Sequence, residues 1–325
     1  MEFLSQTDVI ILAIATLLLG MAILVKGGDL TINGAVEIAR HYGMPPLLVG
    51  FTIVAFGTSL PELIASINAN MNGMDGLAVG GMIGSNISNI LLVGGVCAFI
   101  TPLVANVKSL RNDMIMLAGV TAIWSYMIAY FEINMVIGCI TIGLLIAYIF
   151  IQYTLSKNCE HTESEACEGP NMSKKKALTI TFIGLICLAI GAELLIRGAV
   201  TTARIIGIRE SVIGLTIVAL GTSLPELTTC AMAAMKKQGD MVIGNIIGSN
   251  IFNLMMVLGG IAFVQPYEVF SDERSLIEQD APIMLGATAA FILVLLFFKN
   301  IPRIIGGLFA FAYIAYIILL AYQSL

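Results

Sequence analysis

The segment Gly57-Thr58-Ser59-Leu60-Pro61-Glu62 offers oxygen to a ligand from an otherwise apolar stretch. Pro61 has no N–H, and its ring opposes the carbonyl four residues back, so a helix must break there and free the Gly57 C=O. The same six residues return as Gly221 to Glu226, with Pro225 set against Gly221. Helical spacing puts Ala55, Thr58 or Ser59, and Glu62 on one stripe, and the second copy offers Ala219, Thr222, Ser223 and Glu226. Two further pairs stand four residues apart, Ser85 with Asn89 and Ser249 with Asn253. All of these donors are hard oxygens with no imidazole or thiolate among them, which suits Ca²⁺, Na⁺ or Mg²⁺ better than zinc or copper. Two bidentate glutamates and two freed carbonyls supply about six oxygens, close to what calcium takes, whereas magnesium prefers to keep its waters. The hydroxyl and amide oxygens beside them suit Na⁺. The glycines and serines could equally form a kink and a small-residue helix contact. The glutamates resist that reading, because a mid-membrane acid costs on the order of 3 kcal/mol even on insertion scales, and here it occurs twice.

The elements that hold these groups must be membrane helices. The chain has 325 residues, 58% hydrophobic and only 11% charged, against about a quarter charged in soluble domains. A span needs roughly 20 apolar residues, and ten candidates lie near 8–36, 46–70, 77–100, 112–130, 133–154, 177–203, 211–235, 241–264, 281–298 and 303–322. The N-terminus has no basic stretch and carries Glu2 and Asp8, so the first apolar run reads as a retained span. Six scattered cysteines suggest no disulfide framework. A net charge of -5, without a basic cluster, argues against nucleic acid. Lys and Arg gather on one side of the ten spans at Arg40, Lys108, Arg111, Lys157, Lys174, Lys175, Lys176, Lys236, Lys237, Lys299 and Arg303, against Arg204, Arg209 and Arg274 on the other. The richer side is predicted to be cytoplasmic, with both termini outside.

Sliding the chain by 164 residues aligns VGFTIVAFGTSLPEL (49–63) with IGLTIVALGTSLPEL (213–227), twelve identities in fifteen, and IGSNISN (83–89) with IGSNIFN (247–253). Gly20, Gly27, Gly34 and Gly43 likewise meet Gly184, Gly191, Gly198 and Gly207. The chain is a duplicated unit of about five spans. Five is odd, so the second copy enters from the opposite side, and the two motifs can meet at the bilayer midplane. The expected fold is an all-α polytopic membrane protein of ten transmembrane helices, arranged as two inverted five-helix repeats. Residues 1–155 form the first repeat, 156–176 a cytoplasmic linker and 177–325 the second. The linker's Cys159, His161 and Cys167 match no zinc spacing, and a solvated linker is the expectation. Asp29 and Glu193 also coincide under the offset. Each has a basic neighbour, Lys26 or Arg197, and a local ion pair is expected.

GTSLPE with GSNISN in one half, and GTSLPE with GSNIFN in the other, resemble the alpha repeats of the calcium/cation antiporter superfamily, in its prokaryotic sodium/calcium exchanger branch. The resemblance covers nearly the whole chain. It implies a core of spans 2, 3, 7 and 8 around the ions, across which spans 1 and 6 slide. It implies Ca²⁺ bound by Glu62 and Glu226 with the carbonyls of Thr58 and Thr222. The carbonyls of Ala55 and Ala219, with Ser59, Ser223, Ser85 and Ser249, would shape flanking Na⁺ sites, and Asn89 and Asn253 would line the centre. Some members carry an aspartate at one central amide position. Both are asparagine here, so the core motifs supply at most two negative charges. One Ca²⁺, two Na⁺ or two protons would neutralise them, and the resemblance suggests three Na⁺ per Ca²⁺. The expected function is Ca²⁺ for Na⁺ exchange across a prokaryotic cytoplasmic membrane by alternating access. Its alternative is a proton-coupled or other-divalent antiporter of the same fold.

An intramembrane enzyme would need a base beside Ser59 or Ser85. The two histidines, His41 and His161, fall in predicted loops. A cation channel or a scaffold ranks below an antiporter. No cofactor is expected, the transported ions being Ca²⁺ and Na⁺. The only partners expected are those ions and the lipid bilayer, and no protein partner is deducible.

Overall fold

A computed structural model describes residues 6–104, 106–131, 133–158, 171–206, 219–264 and 274–323. Cys159, His161, Cys167 and the start of the 211–235 span lie outside these residues. Within them the chain is helical, apart from an antiparallel pairing of Leu103–Val104 (β1) with Asn300–Ile301 (β2). The principal helices are α1 (Gln6–Tyr42), α2 (Leu60–Met71), α3 (Asp75–Ser88), α4 (Val107–Tyr130), α5 (Met135–Asn158), α6 (Lys174–Ile205), α7 (Leu224–Met235), α8 (Gly239–Phe252), α9 (Arg274–Phe298) and α10 (Arg303–Gln323). Eight stretches among the described residues are long and apolar enough to cross a bilayer: Val9–Tyr42, Pro46–Met71, Asp75–Ile100, Met135–Thr154, Lys174–Ile205, Gly239–Val264, Gln279–Phe298 and Arg303–Leu320.

Burial separates core from rim. The most apolar window of the Gly239–Val264 stretch is 89% buried, and that of Val9–Tyr42 only 17%. A helix enclosed all round belongs at the centre of the bundle, whereas Ile11, Leu12, Leu18 and Leu19 on α1 face lipid. α9 packs on α4, and α10 on Gly94–Ile100. Close backbone crossings recur in pairs. A Cβ on Gly95 would stand 2.8 Å from Gly306 O, and one on Gly138 would stand 2.7 Å from Gly259 O.

α1 and α6 pack along their lengths through glycines seven residues apart. Gly20 abuts Gly191, Gly27 abuts Gly184, Gly34 abuts Ala177 and Gly198 abuts Ala13. One partner's number falls as the other's rises, so the helices run antiparallel. Small residues let the two backbones approach this closely.

The cytoplasm-side end predicted for α1 is longer than the apolar run that ends at Val36. It continues to Tyr42 and stops at Gly43, whose φ of 59° suits a residue without Cβ. The extra turn is gripped by residues just before α6 and by its first residue. Buried Glu37 accepts from the N–H groups of Asn171 and Met172 at 2.8 and 3.0 Å and pairs with Arg40 at 2.8 Å. His41 Nε2 meets Met172 O at 2.6 Å, and the Lys174 ammonium lies 4.2 Å from the Tyr42 ring centre. His41 therefore sits in the last turn of α1, not in a loop.

Candidate cation site

The helix breaks expected at the two prolines are present, displaced toward the serines. The turn Ala55–Thr58 ends and α2 begins at Ser59 (φ −85°, ψ −1°), and Ala219–Thr222 gives way to α7 at Ser223 (φ −86°, ψ 2°). Each proline thereby falls in the first turn of the new helix, where a missing N–H costs nothing. The new helix recovers its ladder at once through Leu63 N to Ser59 O and Leu227 N to Ser223 O. Glu62 and Glu226 occupy the first turns of α2 and α7, where the positive end of the helix dipole favours an anion.

Asn89 and Asn253 each open a π-helical turn, Asn89–Val93 after α3 and Asn253–Val257 after α8. Such single wide turns redirect side chains and often mark functional sites. Backbone contact fixes α8 against the segment leading to Ala55. A Cβ on Gly244 would lie 2.3 Å from Leu47 O, one on Gly248 2.5 Å from Phe51 O, and one on Gly50 2.4 Å from Met241 O. Ser249 follows directly on Gly248, so this contact sets its depth.

The candidates lie inside protein. Ala55, Thr58, Ser59, Glu62, Ser85, Asn89, Ser223, Glu226, Ser249 and Asn253 are all buried, Glu62 at 3% and Glu226 at 1% exposure. Thr222 is half-buried and Ala219 opens its helical turn. Although 164 residues apart, Glu62 and Glu226 stand close enough to interact electrostatically. Ser59 Oγ donates to Glu226 Oε1 at 3.5 Å, and the Thr58 hydroxyl also reaches that carboxyl while lying 3.4 Å from Ala55 O. Most of the remaining polar atoms have no protein partner: both oxygens of Glu62, Glu226 Oε2, the hydroxyls of Ser223 and Ser249, and both amide atoms of Asn89 and Asn253. No Lys or Arg forms an ion pair with either glutamate among the described residues. Two adjacent carboxyls without a compensating cation are expensive to bury. Their charge calls for neutralisation, by bound cations or by protons.

The ion pairs expected outside the site are present, with one addition. Glu193 pairs with Arg197 at 2.5 Å on the surface, and Asp29 lies 3.7 Å from Lys26. Asp29 also takes Lys236, from the end of α7, at 2.5 Å, and Lys236 reaches Asn33 at 2.6 Å. Sequence reasoning missed a second buried pair of acids. Asp113 on α4 accepts from Tyr148 at 2.5 Å and from Gln152, both on α5, and Asp280 on α9 bonds Tyr316 on α10. A signal for them existed. Ser109-Leu110 with Asp113 recurs as Ser275-Leu276 with Asp280, and Ala147-Tyr148-Ile149 as Ala315-Tyr316-Ile317. Extra residues in the second half shift these matches out of the 164 register.

Comparison with known proteins finds similarity over nearly the whole chain. The profile of a family described as sodium/calcium exchanger protein matches residues 12–154 and 176–322. The chain is 33% identical over 307 residues to the putative antiporter CaxA of Alkalimonas amylolytica, covering 92% of this chain and 95% of that one. It is 30% identical to the sodium/calcium exchanger MaX1 of Methanosarcina acetivorans, over 94% of this chain and 97% of the relative. Among solved structures, the sodium-calcium exchanger NCX_Mj soaked with Na⁺ and Sr²⁺ superposes with a TM-score of 0.82 at 31% identity, over 95% and 98% of the two chains.

Proposed function

The chain belongs to the sodium/calcium exchanger protein family, an integral-membrane family of cation antiporters, and on that premise we propose that it exchanges Ca²⁺ for Na⁺ across a prokaryotic cytoplasmic membrane by alternating access. Glu62 and Glu226 hold the ions at the midplane. The carbonyls and hydroxyls of Ala55, Thr58, Ser59, Ala219, Thr222 and Ser223, with Ser85, Asn89, Ser249 and Asn253, complete the shell. These members of the family are transporters and not enzymes. The observation that carries the reading is the meeting of two buried carboxyls, one from each copy of the duplicated motif, in an interior that also holds the motif amides and hydroxyls without protein partners.

The architecture that goes with this reading is ten spans in two inverted repeats, 1–155 and 177–325, joined by a cytoplasmic linker at 156–176, with both termini outside. The α1–α6 contacts support it. Adding 164 to Ala13, Gly20, Gly27 and Gly34 gives Ala177, Gly184, Gly191 and Gly198, and the observed contacts map onto themselves under that exchange. An antiparallel pair with this property is what a twofold axis in the membrane plane produces.

Transport follows from charge. Two bare carboxyls cannot cross a dry constriction at acceptable cost, so the mobile state forms only when cations neutralise them. Ca²⁺ and Na⁺ then compete for overlapping ligands, which enforces exchange over leak.

The test is radioactive calcium uptake into proteoliposomes loaded with Na⁺, K⁺ or acid in turn, wild type beside Glu62→Gln and Glu226→Gln. Uptake is expected only from Na⁺-loaded vesicles and only in the wild type. Uptake that ignores internal Na⁺ but follows a proton gradient would replace sodium by proton coupling.

A further inference from the structure

The face of α2 that carries Glu62 stays polar toward the end of the helix. Ser66 and Asn70 follow at four-residue steps, both buried like Glu62, and stand about 6 and 12 Å along the axis from it. Beyond them the chain turns through Asn72–Met74, with Gly73 at φ 72°, and Asp75 opens α3. Asn70 Nδ2 donates to Asp75 Oδ1 at 3.1 Å, and Ser66 Oγ to Ala78 O at 3.4 Å. Asn70 Oδ1 is buried without a partner, and Asp75 takes part in none of the ion pairs among the described residues. A structural staple would need the Asn70 donor only. It leaves unexplained a second polar atom of the same amide, buried beside a carboxylate that has no basic partner among the described residues.

The other half lacks this file. The positions that match Glu62, Ser66, Asn70 and Asp75 are Glu226, Cys230, Ala234 and Gly239. The two turns nonetheless share their backbone form. Gly73 N bonds Asn70 O and Met74 N bonds Ala69 O, as Lys237 N bonds Ala234 O and Gln238 N bonds Ala233 O, with Lys237 also left-handed at φ 59°. The Ser66 and Asn70 groups are therefore not required by the turn, and the second half has no counterpart to them, although Asp240 places a carboxylate one residue after Gly239.

We propose that Asp75, Asn70 and Ser66 form an outlying hard-cation site and a stepping file that conducts Na⁺ or Ca²⁺ between the 72–74 turn and Glu62, on one membrane face alone. The inference rests on the central site proposed above. Asp75 supplies charge, the Asn70 carbonyl oxygen a neutral ligand, and Ser66 an intermediate oxygen. One carboxylate against the centre's two makes the outer site the weaker, as passage requires.

The test compares right-side-out with everted membrane vesicles carrying Asp75→Asn, Asn70→Ala or Ser66→Cys, the last two taken from the residues of the other half. KM for Ca²⁺ is expected to rise about tenfold in Asp75→Asn at the face of the 72–74 turn, the size of one lost charge-assisted ligand. KM at the opposite face and the maximal rate should stay at wild-type values. An equal shift at both faces, or none at either, overturns the proposal. Should Asp75→Asn fail to reach the membrane, Asn70→Ala carries the same test, because α7 already packs Ala234 at that position. Glu62→Gln, run alongside, reports on the centre separately: exchange surviving in it defeats the central site, whatever Asp75→Asn does.

Discussion

Gly27 and Gly184 face each other where α1 crosses α6, and the contact is backbone on backbone. A methyl on Gly27 would lie 2.8 Å from Leu188 N and 3.0 Å from Gly184 O, and one on Gly184 would lie 2.6 Å from Thr31 N and 2.9 Å from Gly27 O. Ordinary contact begins at 3.4 Å, and main-chain atoms cannot swing aside as a side chain would. Each alanine therefore forces the helices apart by roughly 0.6 to 0.8 Å. Overpacking of this kind costs 1–3 kcal/mol, and about 2 kcal/mol is expected for Gly27→Ala and for Gly184→Ala alone. A single separation accommodates both methyls, so the double variant should lose about 2–3 kcal/mol, well short of the sum, with a coupling of about 1–2 kcal/mol in the double-mutant cycle. Equilibrium unfolding in detergent micelles measures all four corners. Additive losses, or two neutral single variants, would show that the backbones do not meet here.

Glu62→Gln or Glu226→Gln should each weaken Ca²⁺ affinity at least about a hundredfold, since removing one partner from a buried charged set costs about 3–5 kcal/mol; equilibrium calcium binding to the purified protein reads this, and a shift under tenfold refutes it. Calcium at about 100 times its Kd should stabilise the wild type by about 2.7 kcal/mol, and a thermal shift of equal size in Glu226→Gln would contradict the assignment. Lys236→Met is expected to cost less than about 1 kcal/mol in the same unfolding assay, because Lys236 and Asp29 are each near 30% exposed. A larger loss would mean that this pair is not screened by solvent.

Local chemistry made the centre legible in the sequence. A proline beside a glutamate, repeated at a fixed offset, signals a broken helix with an acid at the break. The duplication supplies two such acids, and the fold sets Glu62 beside Glu226. Contacts with no local signature were hidden. Lys236 reaches back more than two hundred residues to Asp29 and Asn33, and only packing of α7 on α1 creates that pair. The π-helical turns at Asn89 and Asn253 were equally illegible, since a widened turn is held by its surroundings more than by propensity. Asp113 and Asp280 escaped because the repeat loses register beyond the core blocks. The reach of α1 past Val36 depends on the satisfaction of Glu37 by two N–H groups far along the chain.

The grip of residues 171–174 on the last turn of α1 bears on how the polypeptide can be divided. Glu37, His41 and Tyr42 hold the start of the second half directly, and the glycine crossing continues that hold along both helices. A chain cut between 159 and 170 retains every one of these contacts, so two fragments made separately in one cell carry the instructions to find each other and reassemble.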